Sequence, residues 1–130
     1  MNSQHDGLTV WFGTHDAPAP FEAEVVPRQG VSLVVGAHPA NPTNSIEVRF
    51  RVDGGFVQSL PGREVRIDYA SKYQYFAVSF PRFETGELVE YAAVLRCCGR
   101  QVPPAHLAQR FQSFFRLEPN TLRRAAPGPA

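Results

Sequence analysis

One stretch leaves this chain little choice of fold. Between Gly86 and Gly99, Val89, Tyr91, Ala93, Leu95 and Cys97 fall at every second position. Period two is the spacing of an extended strand with one face in a core, not of a helix. The flanking glycines supply the backbone freedom that turns require. The pattern recurs at Ile46, Val48, Phe50 and Val52, with Glu47, Arg49 and Arg51 between them. Asp53-Gly54-Gly55 follows directly. Asp-Gly between two β-like runs is a hairpin signal, so residues 56–59 should fold back beside that strand.

Further strands are expected at 8–12, 21–25, 31–35, 64–69 and 73–80. In residues 64–69 the alternation turns Val65, Ile67 and Tyr69 inward. In 73–80 it turns Phe76, Val78 and Phe80 inward and leaves Tyr73 and Tyr75 on the other side. Segments 13–20 and 36–44 read as loops. Near the end, a helical turn at 105–109 leads to a last strand over 111–117, with Phe111, Phe115 and Leu117 inward and Phe114 and Arg116 outward. The twelve prolines suit short strands joined by tight connections. Together these features predict an all-β fold, a two-sheet antiparallel sandwich of about seven to nine short strands. The domain should span 8–118, with flexible termini at 1–7 and 119–130.

A chain of 130 residues fits one domain and can bury a core without a metal or disulfide. A formal charge of +1 is too close to neutral for a dedicated nucleic-acid binder. No apolar run is long enough to cross a membrane as a helix. No basic-then-apolar leader follows Met1. Cys97 and Cys98 are adjacent, and neighbours on a strand point to opposite faces. They read as free thiols, Cys97 in the core and Cys98 at the surface, which fits a reducing, cytoplasmic setting.

The motifs Asp53-Gly-Gly55, Tyr75-Phe76…Phe80-Pro81, Gly86-Glu-Leu-Val-Glu-Tyr91 and the glycine turn at Gly99 resemble the immunoglobulin-like and fibronectin type III-like domains. The variety most similar is the early-set kind attached to bacterial enzymes. The resemblance implies that Tyr91 packs at a corner of the penultimate strand, its hydroxyl bonding backbone. It carries no catalytic residues. It implies a spacer, docking or carbohydrate-binding module, among which fold does not choose.

The residues themselves add no catalytic or metal signature. No serine sits in a Gly-x-Ser-x-Gly elbow, and no Cys-x-x-Cys or His-Glu-x-x-His occurs. The pairs His5-Asp6 and His15-Asp16 read as solvated, and no cofactor is expected. Two surfaces stand out. On the second face of 88–97 the outward positions are Leu88, Glu90, Ala92, Val94 and Arg96. A strand wet on that side should be polar there. With Phe114 at the centre and Arg49, Arg51, Arg96 and Arg116 around it, this face has the make-up of a protein interface or a self-association surface. Residues 105–109 or the tail could equally supply the cover. The alternative is a carbohydrate-binding surface, on which Tyr73, Tyr75 and Trp11 would stack a sugar with Arg66 alongside. The expected partner is a protein or a second copy, with carbohydrate as the second reading.

Overall fold

Strand β8 (Leu88–Cys97) runs through the middle of one sheet, and the rest of that sheet assembles along its two sides. The computed structural model describes residues 2–5, 7–14, 20–21 and 25–118. Within these residues there are ten strands and no helix: β1 (Asn2–His5), β2 (Leu8–Phe12), β3 (Val31–His38), β4 (Ser45–Val52), β5 (Gln58–Pro61), β6 (Arg63–Asp68), β7 (Tyr73–Phe80), β8, β9 (Arg100–Val102) and β10 (Ser113–Arg116). They form two antiparallel five-stranded sheets. The first has the order β1-β2-β3-β7-β6. The second has the order β10-β8-β4-β5, with β9 also paired to β8. The all-β two-sheet sandwich is therefore as the alternation predicts.

The core lies between the sheets. Leu8, Val10, Leu33, Val35, Phe76 and Val78 from the first meet Ile46, Val48, Phe50, Val89, Ala93 and Leu95 from the second. One end of this core is aromatic. Phe21, Phe80, Tyr91 and Phe115 pack with ring centroids 5.3–6.3 Å apart. Such pairs add about 0.5–1.5 kcal/mol each beyond area burial. Tyr91 belongs to this cluster and is not a corner residue bonding backbone. Its hydroxyl meets the Ser113 side chain, and burial pushes its phenol above the usual range. Cys97 is buried and Cys98 exposed, both as free thiols.

Several expected boundaries move. Asn2–His5 pairs with β2 instead of fraying. β3 continues through Gly36 to His38, so the strand occupies positions expected as loop. Of the strand expected at 21–25, Phe21 bridges Leu33, while 22–24 lie outside the described residues, as do Asp6, His15, Asp16 and the tail from 119. Val65 and Tyr69 do not face inward; both are exposed. For Val65 the cause is a bulge, whereas Tyr69 lies past the end of β6 in the turn to β7. Glu64 pairs with Phe76 and Arg66 with Tyr75, which leaves Val65 as the extra residue and resets the alternation. Glu64, itself exposed, accepts a 2.6 Å hydrogen bond from the buried Gln74. Residues 104–110 form successive turns, in keeping with the short helical turn expected at 105–109, with Leu107 N bonded to Pro104 O and Arg110 N to Leu107 O.

The free side of β8 is filled by two short strands and one side chain. β10 pairs with Leu88–Tyr91 and β9 with Leu95–Cys97. The gap between them would orphan the backbone of Ala93, and a buried unpaired amide is costly. Gln112 closes it. Ala93 N donates to Gln112 Oε1 at 3.0 Å, and Gln112 Nε2 donates back to Ala93 O at 3.3 Å. Gln112→Ala should cost about 1–3 kcal/mol in urea unfolding. Gln112→Glu keeps the size but, when ionised, offers no donor to Ala93 O. The protonated form is favoured in the fold, so the folded-state pKa rises above the unfolded one. That variant should lose stability as pH rises through its folded pKa and regain it in acid. An Ala variant as stable as the wild type would show that the bridge is dispensable.

Candidate functional site

The outer face of the first sheet carries an aromatic platform built from one cross-strand row. Register places Asn2, Trp11, Gly36, Tyr75 and Arg66 side by side across all five strands. Alternation turns Leu8 and Val10 into the core, so Trp11 must point out. Directly beside it β3 presents Gly36, which has no side chain. A Cβ built there would lie 2.2 Å from Trp11 Cε2, 2.4 Å from Nε1 and 2.5 Å from Cζ2. The ring-fusion carbon is nearest and its two bonded neighbours are slightly farther, so the indole covers Gly36 with its face. Glycine within a strand commonly marks such a close approach.

The tyrosines stand upright beside the flat indole. Tyr73 lies 5.1 Å from Trp11 at 73°, and Tyr75 6.3 Å away at 86°. His38 closes the other side of Tyr73 at 5.7 Å. Arg66 places its guanidinium 4.6 Å above the Tyr75 ring, a cation–π contact. Tyr75 is only 3% exposed and forms a wall, while Trp11 and Tyr73 remain half-buried. The structure thus brings Trp11, Arg66, Tyr73 and Tyr75 together. Gly36 and His38 complete the group and were missed because both positions read as loop. A glycine opposite a tryptophan was the available signal, but it needs the strand register to be recognised.

On the outer face of the second sheet, of the two readings the sequence offers, the geometry matches cover by the chain's own segment. Ala92 and Val94 are 2% and 0% exposed, yet neither belongs to the inter-sheet core. The chain's own segment after β9 covers this face, so its centre is not free for a partner. Ala108 and Phe111 border a shallow groove of about 330 Å³ with Arg49, Arg51, Val57 and Ala92. Phe111 sits under the Arg51 guanidinium, 4.7 Å away, instead of facing inward. The arginines are largely engaged at home. Arg51 Nε meets Glu90 at 2.7 Å, Arg96 Nη1 meets Glu47 at 2.7 Å, and Arg116 Nη1 donates to Gly86 O at 3.0 Å. Phe114 does point outward as expected and is 69% exposed.

No known family model matches the chain, and no curated protein matches it. Similarity appears among solved structures. One is an uncharacterized protein of Listeria monocytogenes EGD-e, with a TM-score of 0.64 and 13% identity over 83% of this chain. The same protein has been solved in complex with α-D-glucose, β-D-glucose, magnesium and calcium. Another is a cycloalternan-forming enzyme from Listeria monocytogenes in complex with its pentasaccharide substrate, with a TM-score of 0.63 and 12% identity. In each case the match spans 10% of the other chain. At this identity the likeness is one of fold.

Gly36→Ala should expel the indole from its seat, at a cost of roughly 1–3 kcal/mol for forced overpacking. Tryptophan emission should shift to the red as the ring moves into water, and unchanged emission would show that the ring does not rest there. On the second sheet, the Arg96 hydrogen bond, and then that from Ser59, holds the Glu47 carboxyl below its usual range. Because the folded pKa is depressed, this contribution is present above the unfolded pKa and lost as pH falls through the folded one. Arg96→Ala should flatten that part of the acid-unfolding profile.

Proposed function

We propose that this chain is a non-catalytic β-sandwich module that holds a carbohydrate on the Trp11 platform. The observation that carries the reading is the indole laid face-down on Gly36 with the Tyr73 and Tyr75 rings upright beside it. A sugar ring presents a row of C–H groups that carry partial positive charge, and an aromatic face is the negative side of its quadrupole. Flat stacking on Trp11 would leave the equatorial hydroxyls pointing sideways. Arg66 and His38 stand at that level as polar partners. Because the stacking face is already in place, little ordering is lost on binding.

Two further findings support the reading. The solved structures of similar fold include proteins seen with glucose or with an oligosaccharide, and this chain corresponds to a small part of each. Within the two five-stranded sheets, the runs β2-β3-β7-β6 and β10-β8-β4 have the strand order of an immunoglobulin-like sandwich, with β1 added beside β2 and β5 beside β4. This supports an early-set immunoglobulin-like domain of the sort attached to larger enzymes.

The test is titration of the whole chain with soluble oligosaccharides, read by tryptophan fluorescence and calorimetry. A saturable response is expected, and Trp11→Ala should weaken it about ten- to a hundred-fold, on the scale of losing one aromatic stack. The fold should persist at a cost of about 1–3 kcal/mol, the two ring contacts with Tyr73 and Tyr75 that are lost. No saturable response to any glycan would remove the proposal. A protein-docking role on the second sheet is the other reading. It is favoured by the buried Arg49 Nε, which has no hydrogen-bond partner and only the Glu47 carboxylate at 3.9 Å, and whose residue lines the groove with Val57 and Phe111. In that case Phe114→Asp, and not Trp11→Ala, would abolish association in light scattering.

A further inference from the structure

The hairpin between β8 and β9 turns on Cys98 and Gly99, with Cys97 paired to Arg100. Both central residues have positive φ, 54° at Cys98 and 79° at Gly99. This is the two-residue hairpin turn that favours Asn, Asp or Gly at its first position. A cysteine held there is strained, and strain of this kind is kept where surrounding structure enforces it. The turn bends the second side chain back over the first. Cys98 Sγ lies 3.3 Å from Cys97 Sγ, although on a regular strand the two would diverge.

Thr43 joins them from the loop before β4. Its hydroxyl is 3.4 Å from Cys98 Sγ and 3.5 Å from Cys97 Sγ, and it also reaches Asn41 Oδ1 at 2.7 Å. A hydroxyl has one proton. It can give that proton to Asn41 while both sulfurs are thiols, and turn it to Cys98 when a thiolate forms. The three residues border a cavity of about 290 Å³ with Arg96 and Arg100 on its wall. The Thr43 hydrogen bond, followed by that from Cys97, holds the Cys98 thiol below its usual range, with the Arg100 charge adding to the effect. Nothing in the sequence around Cys98 signals this, because Thr43 is distant in the chain.

We infer that Cys97 and Cys98 form a hydroperoxide-sensitive dithiol site, with Cys98 as the attacking sulfur and Cys97 as the resolving one. The Cys98 thiolate attacks one peroxide oxygen, the O–O bond breaks, and hydroxide leaves. The product is a Cys98 sulfenic acid. Cys97 sulfur then attacks Cys98 sulfur, the S–O bond breaks, and water leaves with the Cys97 proton. With hydrogen peroxide the sum is two thiols and one peroxide giving one disulfide and two waters. An exposed low-pKa thiol beside a resolving thiol is the arrangement that favours this course over further oxidation. A disulfide between adjacent residues is strained, hence readily reduced by an added dithiol.

The experiment treats the full chain with hydrogen peroxide, blocks remaining thiols with an alkylating agent, and reads the intact mass. Both thiols should disappear together in a monomer lighter by two hydrogens, and dithiothreitol should restore them. Cys98→Ser should leave Cys97 alkylatable after unfolding at the same peroxide dose. Cys97→Ser should stop at a sulfenic acid that dimedone traps. Thr43→Val should slow oxidation about tenfold near neutral pH by removing the hydrogen bond to the thiolate. Should the Cys97 variant fail to fold, Cys98→Ser and Thr43→Val, both at exposed positions, still decide the matter. Loss of Cys98 with Cys97 intact, or thiol loss only through linked dimers, would overturn the inference.

Discussion

The middle of β8 is covered on both faces, and much of the molecule follows from that requirement. Tyr91 to Leu95 are all buried. Val89, Tyr91, Ala93 and Leu95 meet the first sheet, which accounts for the sandwich. Ala92 and Val94 need a second cover, which a bare antiparallel sheet does not supply. The chain provides it by leaving β9 over Pro103 and crossing the outer face before returning as β10. That detour separates the two short strands that share the β8 edge, and the separation in turn makes the Gln112 bridge necessary.

The first sheet answers the same demand differently. Its middle row is closed by aromatic rings, not by a segment of chain. Gly36 gives up its side chain so that an indole can lie where a Cβ would stand. The two outer faces are therefore unequal. One is roofed by the protein's own backbone, and the other by side chains whose free faces still meet solvent. A ligand that recognises flat apolar surface would find it on the first sheet.

How much of this could be read in advance varies with the physics. The two-sheet fold was legible because alternation in 46–52, 73–80 and 88–97 directly encodes burial. The outward apolar pair Ala92 and Val94 was legible as an anomaly, and residues 105–109 were among its candidate covers, but the sequence did not choose between them, the tail and a partner. Ala108 and Phe111 are brought there by a connection whose path depends on tertiary packing. Val65 was misjudged because a single bulge reverses facing, and a bulge leaves no mark in the alternation itself; Tyr69 was misjudged because the strand ends one residue earlier than its pattern suggests. The aromatic residues Trp11, Tyr73 and Tyr75 could be named from sequence. Their assembly over Gly36 could not, because it depends on which residues of three strands lie opposite one another.

The sheet margins show a further economy. The outermost strands are β1, β6, β5 and, sharing one margin, β10 and the three-residue β9. β1, β5 and β10 are each four residues long, and β5 ends on Pro61. β6 is longer, but it carries the bulge at Val65 and four charged side chains, Arg63, Glu64, Arg66 and Asp68. Short, kinked and charged borders are poor templates for an incoming strand. A chain built this way resists edge-to-edge polymerisation when many copies are crowded together. Its neighbours, whatever their chemistry, must meet it through the faces of the sandwich instead of extending its ladders.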